Sequence, residues 1–273
     1  MARLLVFCES PADFETVKGL VDRVLRERGP DWVRELLEGP SEEAKTGFRD
    51  WVPDGEGRNY FDLHQVSAYA SRLKLRVPQG HFSGQPGAAG ALMGRTAFHV
   101  ARELALSGTE LDAVLLVWDM DDQGKDRRMG LAQASTYARS LDDIDFDIVI
   151  GCSDPMREAW VLAGFEPETD AERARLAAMR QELGFNPCDK AHQLDAKKDA
   201  KRSPKRVLKA LTASEHDTAG EHEREVRCWT EAPLVRLRAR GMHSGLTAFL
   251  DEAAESLVPR LSGVSPKPPT AQD

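Results

Sequence analysis

No CxxC pair occurs in this chain, and its four cysteines (Cys8, Cys152, Cys188 and Cys228) lie far apart. That spacing argues against a zinc ribbon and a disulfide scaffold, and it fits a reduced, cytoplasmic compartment. Long apolar runs are missing too. The N-terminal one, Leu4 to Cys8, is too short for a signal-peptide core or a membrane span, so no membrane partner is expected. Basic charge is not in excess. A net charge of −8 argues against a protein that coats nucleic acid through bulk charge, and it leaves a local basic face open. With 41% hydrophobic and 30% charged residues over 273 positions, the chain is an ordinary globular one. It can form one large domain or two modest ones, with a core that needs no staples.

Leu4-Leu5-Val6-Phe7-Cys8 is an unbroken apolar run of the kind buried on both faces of a parallel sheet. Ser10, Pro11 and Asp13 then give a cap, a first helical position and a charge suited to the positive helix end. Phe14, Val17, Leu20, Val21, Val24 and Leu25 recur at helical spacing until Gly29-Pro30. Residues 31–62 read as an insertion, with a short helix around Trp32 to Leu37 and a loop at Asp54 to Gly57. A helix over 62–72 and an alternating strand over Leu73 to Val77 follow. The glycine-rich stretch from Gly80 to Gly94 reads as a flexible connector. Its amides precede a helix and can cradle phosphate, but it lacks a P-loop ending.

Helices are predicted over Ala91–Leu106 and about Arg127–Ser140, and strands over Ala113–Trp118 and Phe146–Ile150. Asp154-Pro155 opens a further helix. From about residue 166 only helices and loops are expected, and the Pro- and Ser-rich residues 262–273 are read as a disordered tail. The alternation over residues 1–165 predicts an α/β domain with a mainly parallel sheet, and residues 166–261 a helical appendage.

Glu9 follows the first strand, and Asp119 and Asp121 follow a later one. Parallel strands bring their C-terminal ends to one edge, where ligands of open α/β sheets bind. If the segment stays extended, Asp119 and Asp121 face one pocket and Met120 turns away. Clustered carboxylates need neutralising, and Mg²⁺ suits one or two of them with several waters. The plain alternative is that these acids cap helices and form turns.

These residues resemble the Toprim domain of topoisomerases, DnaG-type primases, small maturation ribonucleases and overcoming-lysogenization-defect nucleases. The likeness is closest to small bacterial Toprim-like proteins related to the last group. It rests on Val6-Phe7-Cys8-Glu9-Ser10 and Val117-Trp118-Asp119-Met120-Asp121, then on Arg157-Glu158-Ala159-Trp160 and Pro204-Lys205-Arg206-Val207-Leu208. The resemblance implies divalent-metal-dependent phosphodiester cleavage or transfer on DNA or RNA, in phage defence or nucleic-acid repair, beside an ATPase or other defence-system partner. It implies Mg²⁺, with Mn²⁺ as a substitute, held by Asp119 and Asp121. Glu9 becomes a metal ligand or general acid/base, and Asp122 and Glu158 are additional candidates. Glu158 has an equal reading as a charge favoured by a helix N-terminus.

Two other functions stay open. One is a non-catalytic Toprim-fold adaptor that binds a partner protein or nucleic acid. The other, ranked lower, is an Asp-nucleophile phosphatase using Asp119 and Asp121. The segment 190–209 is the basic counterweight. It carries Lys190, Lys197, Lys198, Lys201, Arg202, Lys205, Arg206 and Lys209 against Asp195 and Asp199. Lys201, Arg202, Lys205 and Arg206 are its candidates for phosphate-backbone contact, and a solvated surface is the plain alternative. His216, Glu221, His222 and Glu223 fit no standard metal spacing and read as a polar loop and helix start.

Overall fold

The computed structural model describes residues 2–39, 45, 48–197, 200–213 and 218–261. A five-stranded, all-parallel sheet forms its centre, with strands β1 (Ala2–Cys8), β2 (Arg49–Trp51), β3 (Phe61–Asp62), β4 (Ala113–Asp119) and β5 (Asp147–Ser153). The order is β2-β1-β4-β5, and β3 also pairs with β1. The two long apolar runs lie side by side at its centre, with Leu5 opposite Val114 and Phe7 opposite Leu116. A strand with neighbours on both edges and helices on both faces has no wet side, which is why neither run alternates with polar residues.

The stretch read as an insertion contributes two strands to the sheet. β2 pairs with the start of β1 and β3 with its end. Both are too short to leave a periodic signal. Helix α1 (Pro11–Arg28) is capped by Ser10, whose Oγ accepts from the Asp13 N–H, and α2 (Asp31–Glu38) follows. Leu73 to Val77 is not a strand. Leu75 N donates to Ala70 O and Lys74 N to Ser71 O, closing α3 (Val66–Arg72). Leu73 and Leu75 alternate only because both pack on the core below.

The glycine-rich loop is anchored rather than loose. Buried Arg95 of α4 (Ala91–Leu106) donates to Pro78 O and His81 O and sits 3.5 Å from the Phe82 ring centroid. Gln133 of α5 (Gly124–Arg139) accepts from Ala88 N and donates to Pro86 O.

One sheet face packs on α3, α4 and α5 through Leu5, Phe7, Val114, Leu116 and Trp118. The opposite face packs on α1, α6 (Arg157–Gly164) and the C-terminal helices through Leu4, Val6, Leu115 and Val117. Those helices are α7 (Asp170–Leu183), α8 (Pro204–Thr212), α9 (Thr218–Thr230), α10 (Leu234–Gly241) and α11 (Leu246–Leu261). Phe249 and Leu250 of α11 share one core with Val21 and Val149, so the helical half is built onto the sheet. Helix α6 starts later than the Asp154-Pro155 signal, because Met156 is extended and acts as the cap position. Among the described residues no helix is long and apolar enough to cross a membrane. The predicted tail at 262–273 lies outside the described residues, as do Lys198, Asp199 and His216.

Candidate active site

The C-terminal ends of β1, β3, β4 and β5 meet along one sheet edge, as parallel pairing requires. Glu9, one residue past β1, is largely buried. Its Oε1 accepts from Trp118 Nε1 at 3.0 Å, and His64 Nε2 lies 3.5 Å from the same oxygen. Asp62, at the end of β3, orients His64 by accepting from its backbone N–H at 2.8 Å. Burial pushes the Glu9 carboxyl above its ordinary pKa, against the pull of the Trp118 N–H.

Asp119 ends β4 on the opposite face from Trp118. Its Oδ1 accepts from Ser153 Oγ at 2.6 Å and from the backbone N–H of Arg157 at 2.8 Å. The first turn of α6 therefore holds this carboxylate directly. Even so, the Asp119 carboxyl is pushed up to about 8. Burial is the main cause, and the Asp13, Glu9 and Glu158 charges add to it. Asp13 is likewise raised by burial, although Ser10 Oγ donates to it at 2.7 Å and Arg157 and Lys205 favour its charged form.

Arg157 is the internal counter-ion of this cluster. It is 8% exposed, and its guanidinium lies 2.7 Å from Glu225, 3.4 Å from Glu158 and 3.7 Å from Asp13. Glu158 is 7% exposed, and its Oε2 is a buried atom with no hydrogen-bond partner. It lines a cavity of about 350 Å³ together with Lys205 and Lys209 of α8 and Glu221, His222 and Glu225 of α9. Two of the four polar residues read as a loop and helix start, Glu221 and His222, thus face the same space as Glu158.

The extended geometry expected for Asp119-Met120-Asp121 does not hold. Met120 is helical and buried, and Asp121 has φ +48°. The chain turns because Asp121 N donates to Pro155 O at 2.7 Å, folding this turn onto the loop after β5. Asp121 is left exposed and paired with Arg127 at 2.9 Å, within electrostatic reach of Glu9. Arg127 also donates to the Asp119 carbonyl and stacks on Trp118, 4.5 Å from a ring centroid. Asp122 is exposed on the same turn.

Of the basic candidates, Lys205 reaches the acidic cluster. Arg206 pairs with Glu182 and donates to the Lys201 carbonyl, Arg202 stacks on Phe185, and Lys201 is exposed. Asp13, Arg157 and His64 do not stand out from the sequence as site residues. Asp13 sits in the helical turn that follows the Glu9 strand end, which is its one local signal. Arg157 opens the Arg157-Glu158-Ala159-Trp160 motif, where Glu158 alone is the candidate, and His64 gives no signal.

Among the described residues no three His, Cys, Asp or Glu side chains are arranged to hold one metal ion. The donor chemistry nevertheless suits a hard cation. All the carboxylates are oxygen donors, Glu158 Oε2 is orphaned, and Mg²⁺ needs only one or two carboxylates beside its waters. Comparison with protein-family models, with curated proteins and with solved structures gives no match.

Proposed function

We propose that this edge carries out divalent-cation-dependent phosphodiester cleavage or transfer on DNA or RNA, in the manner of Toprim-like nucleases. One observation carries the reading. Glu9, Asp13, Asp119 and Glu158 come from four separate elements to one end of a parallel sheet, and Lys205 faces them from a basic helix. Carboxylates this close repel one another, and Arg157 offsets only part of that charge.

Two of these carboxylates, Asp119 and Glu9, would hold Mg²⁺ or Mn²⁺, with waters completing the set. When bound, the cation stabilises charge on the phosphate and lowers the pKa of water. The remaining work falls to the chain. Ser153 Oγ and the Arg157 N–H fix the orientation of Asp119. Lys205 and Lys209 bind phosphate oxygens. Glu9, held by Trp118, takes a proton from the attacking group or ligates the cation. Lys201, Arg202 and Arg206 contact the flanking backbone. A role in phage defence or repair, beside an ATPase or other partner, follows from the Toprim resemblance alone.

One observation favours the adaptor reading instead. Glu9, Asp121 and one oxygen of Asp119 already have protein partners, so the edge is self-satisfied in part. The phosphatase reading gains less, because Asp121 turns away to Arg127. Mn²⁺ titration by calorimetry separates the first two. Asp119→Asn should lower affinity at least ten-fold, and Asp121→Asn less than three-fold. A parent that binds no Mn²⁺ leaves the adaptor in first place.

A further inference from the structure

A second cavity, of about 500 Å³, lies on the other face of the sheet. Trp118 is part of its wall. Its volume falls in the range of small-molecule sites. Leu75, Val77, Leu92 and Met93 supply apolar surface, Gln79 and Thr96 supply polar groups, and no charged side chain lines it.

The cavity is built rather than incidental. Its loop wall is pinned by buried Arg95 and by Gln133. Gly90 has φ +80°, and a Cβ there would come 2.7 Å from Trp118 Cζ3, so the loop rests directly on the indole edge. Leu92 is 42% exposed, an apolar residue facing solvent. The same indole donates to Glu9, so one side chain borders both the cavity and the acidic edge.

We propose that this cavity takes an unstacked nucleobase of the strand whose phosphate lies at the acidic edge. The inference deepens the nucleic-acid reading and rests on it. A neutral wall excludes the phosphates, which stay at the edge where Lys205 and the carboxylates are. A nucleobase is flat, largely apolar on its faces and polar at its rim. The Gln79 amide donates one N–H to Val77 O at 3.1 Å, which leaves its second N–H and its oxygen for a base edge. The apolar wall of Leu75, Val77, Leu92 and Met93 accepts any base face, so the site is tolerant of sequence.

The test uses the full chain. A short single-stranded oligonucleotide, the same oligonucleotide with one abasic position, the four ribonucleosides and their 5′-monophosphates are titrated and followed by backbone amide shifts and anisotropy. Nucleosides should shift the amides of residues 75–79 and 88–96 without any metal, and the abasic strand should bind more weakly. Ala88→Phe, which fills the cavity from a partly exposed loop position, should weaken oligonucleotide binding at least ten-fold with Mn²⁺ affinity unchanged. Gln79→Ala, at an exposed position, guards against misfolding of the first variant and should weaken it about three-fold.

Parental oligonucleotide affinity in a folded Ala88→Phe protein overturns the proposal, as do nucleosides that leave the cavity amides unmoved. Monophosphates that bind as tightly as the oligonucleotide would make the occupant a free nucleotide and overturn the strand assignment. Cavity shifts in a parent that binds no Mn²⁺ would sink the catalytic reading and leave the pocket standing.

Discussion

Trp118 and Asp119 are adjacent in one strand, yet they serve opposite environments. On the Trp118 side, an uncharged cavity is walled by a glycine-rich loop and α4. On the Asp119 side, buried carboxylates crowd around Arg157, with Lys205 at the rim. The pleat alone separates them, because successive side chains of a strand leave by opposite faces. Glu9 joins the two sides through the indole N–H. An apolar cavity and a cluster of charged groups therefore sit one residue apart on opposite faces of the sheet.

The comparison breaks hardest at Arg157. Arg157→Met leaves Asp13, Glu158 and Glu225 without their shared buried cation, and should cost about 3–5 kcal/mol of stability by urea unfolding. On the Trp118 side, Arg127→Met removes a stacking cation, a donor to the Asp119 carbonyl and an ion pair to exposed Asp121, and should cost less. Equal losses would mean that the two sides do not differ in charge burial.

Glu9→Gln tests the link between them. If Glu9 is chiefly a proton acceptor, turnover should fall roughly 10²-fold with near-parental Mn²⁺ affinity. If it is chiefly a ligand, affinity and rate should fall together. Parental activity at every metal concentration would remove Glu9 from the site.

A pH series sharpens the electrostatic half. The Asp119 carboxyl is raised in the folded protein, so the native state holds a proton that the unfolded chain releases. The stability of the cation-free protein should therefore fall as pH rises from about 4 to about 8, by on the order of 1–3 kcal/mol after solvent screening. Asp119→Asn should flatten that slope and melt higher than the parent at pH 8. Saturating Mg²⁺ should restore the parent at pH 8 by mass action. A parent whose stability rises across this window would contradict the burial argument.

The smallest effects belong to the basic helix. Removing one side chain that binds a duplex phosphate should reduce the log–log salt slope by about 0.9. Lys205→Gln should show that reduction in full, and Arg206→Gln less, because Arg206 is already tied to Glu182. Identical slopes for both variants would place the acidic cleft and the outer surface on the same footing.

Much of this is legible in the residues. Leu4–Cys8 and Ala113–Trp118 announce central strands because only a doubly covered strand tolerates unbroken apolar sequence. Ser10-Pro11 marks the start of α1, and Glu9 and Asp119 fall at strand ends by position alone. The small strands 49–51 and 61–62 are not legible, since two or three residues cannot show a period. Leu73–Val77 misleads for a related reason: alternation reports burial on one side and says nothing of a hydrogen-bonding partner.

The sequence by itself determined that the core is a parallel sheet with two acidic strand ends, because apolar periodicity and turn chemistry are local properties of the chain. Only the tertiary structure decided which acids meet. Asp13, Glu158 and Arg157 join Asp119 through contacts between residues distant in sequence, and Asp121 leaves the group because its backbone N–H binds Pro155 O. The Trp118 cavity is likewise a property of packing, formed where α3, α4 and an anchored loop close over a strand end. Strand order, burial and long-range hydrogen bonds are set by the whole fold, and no window of residues encodes them.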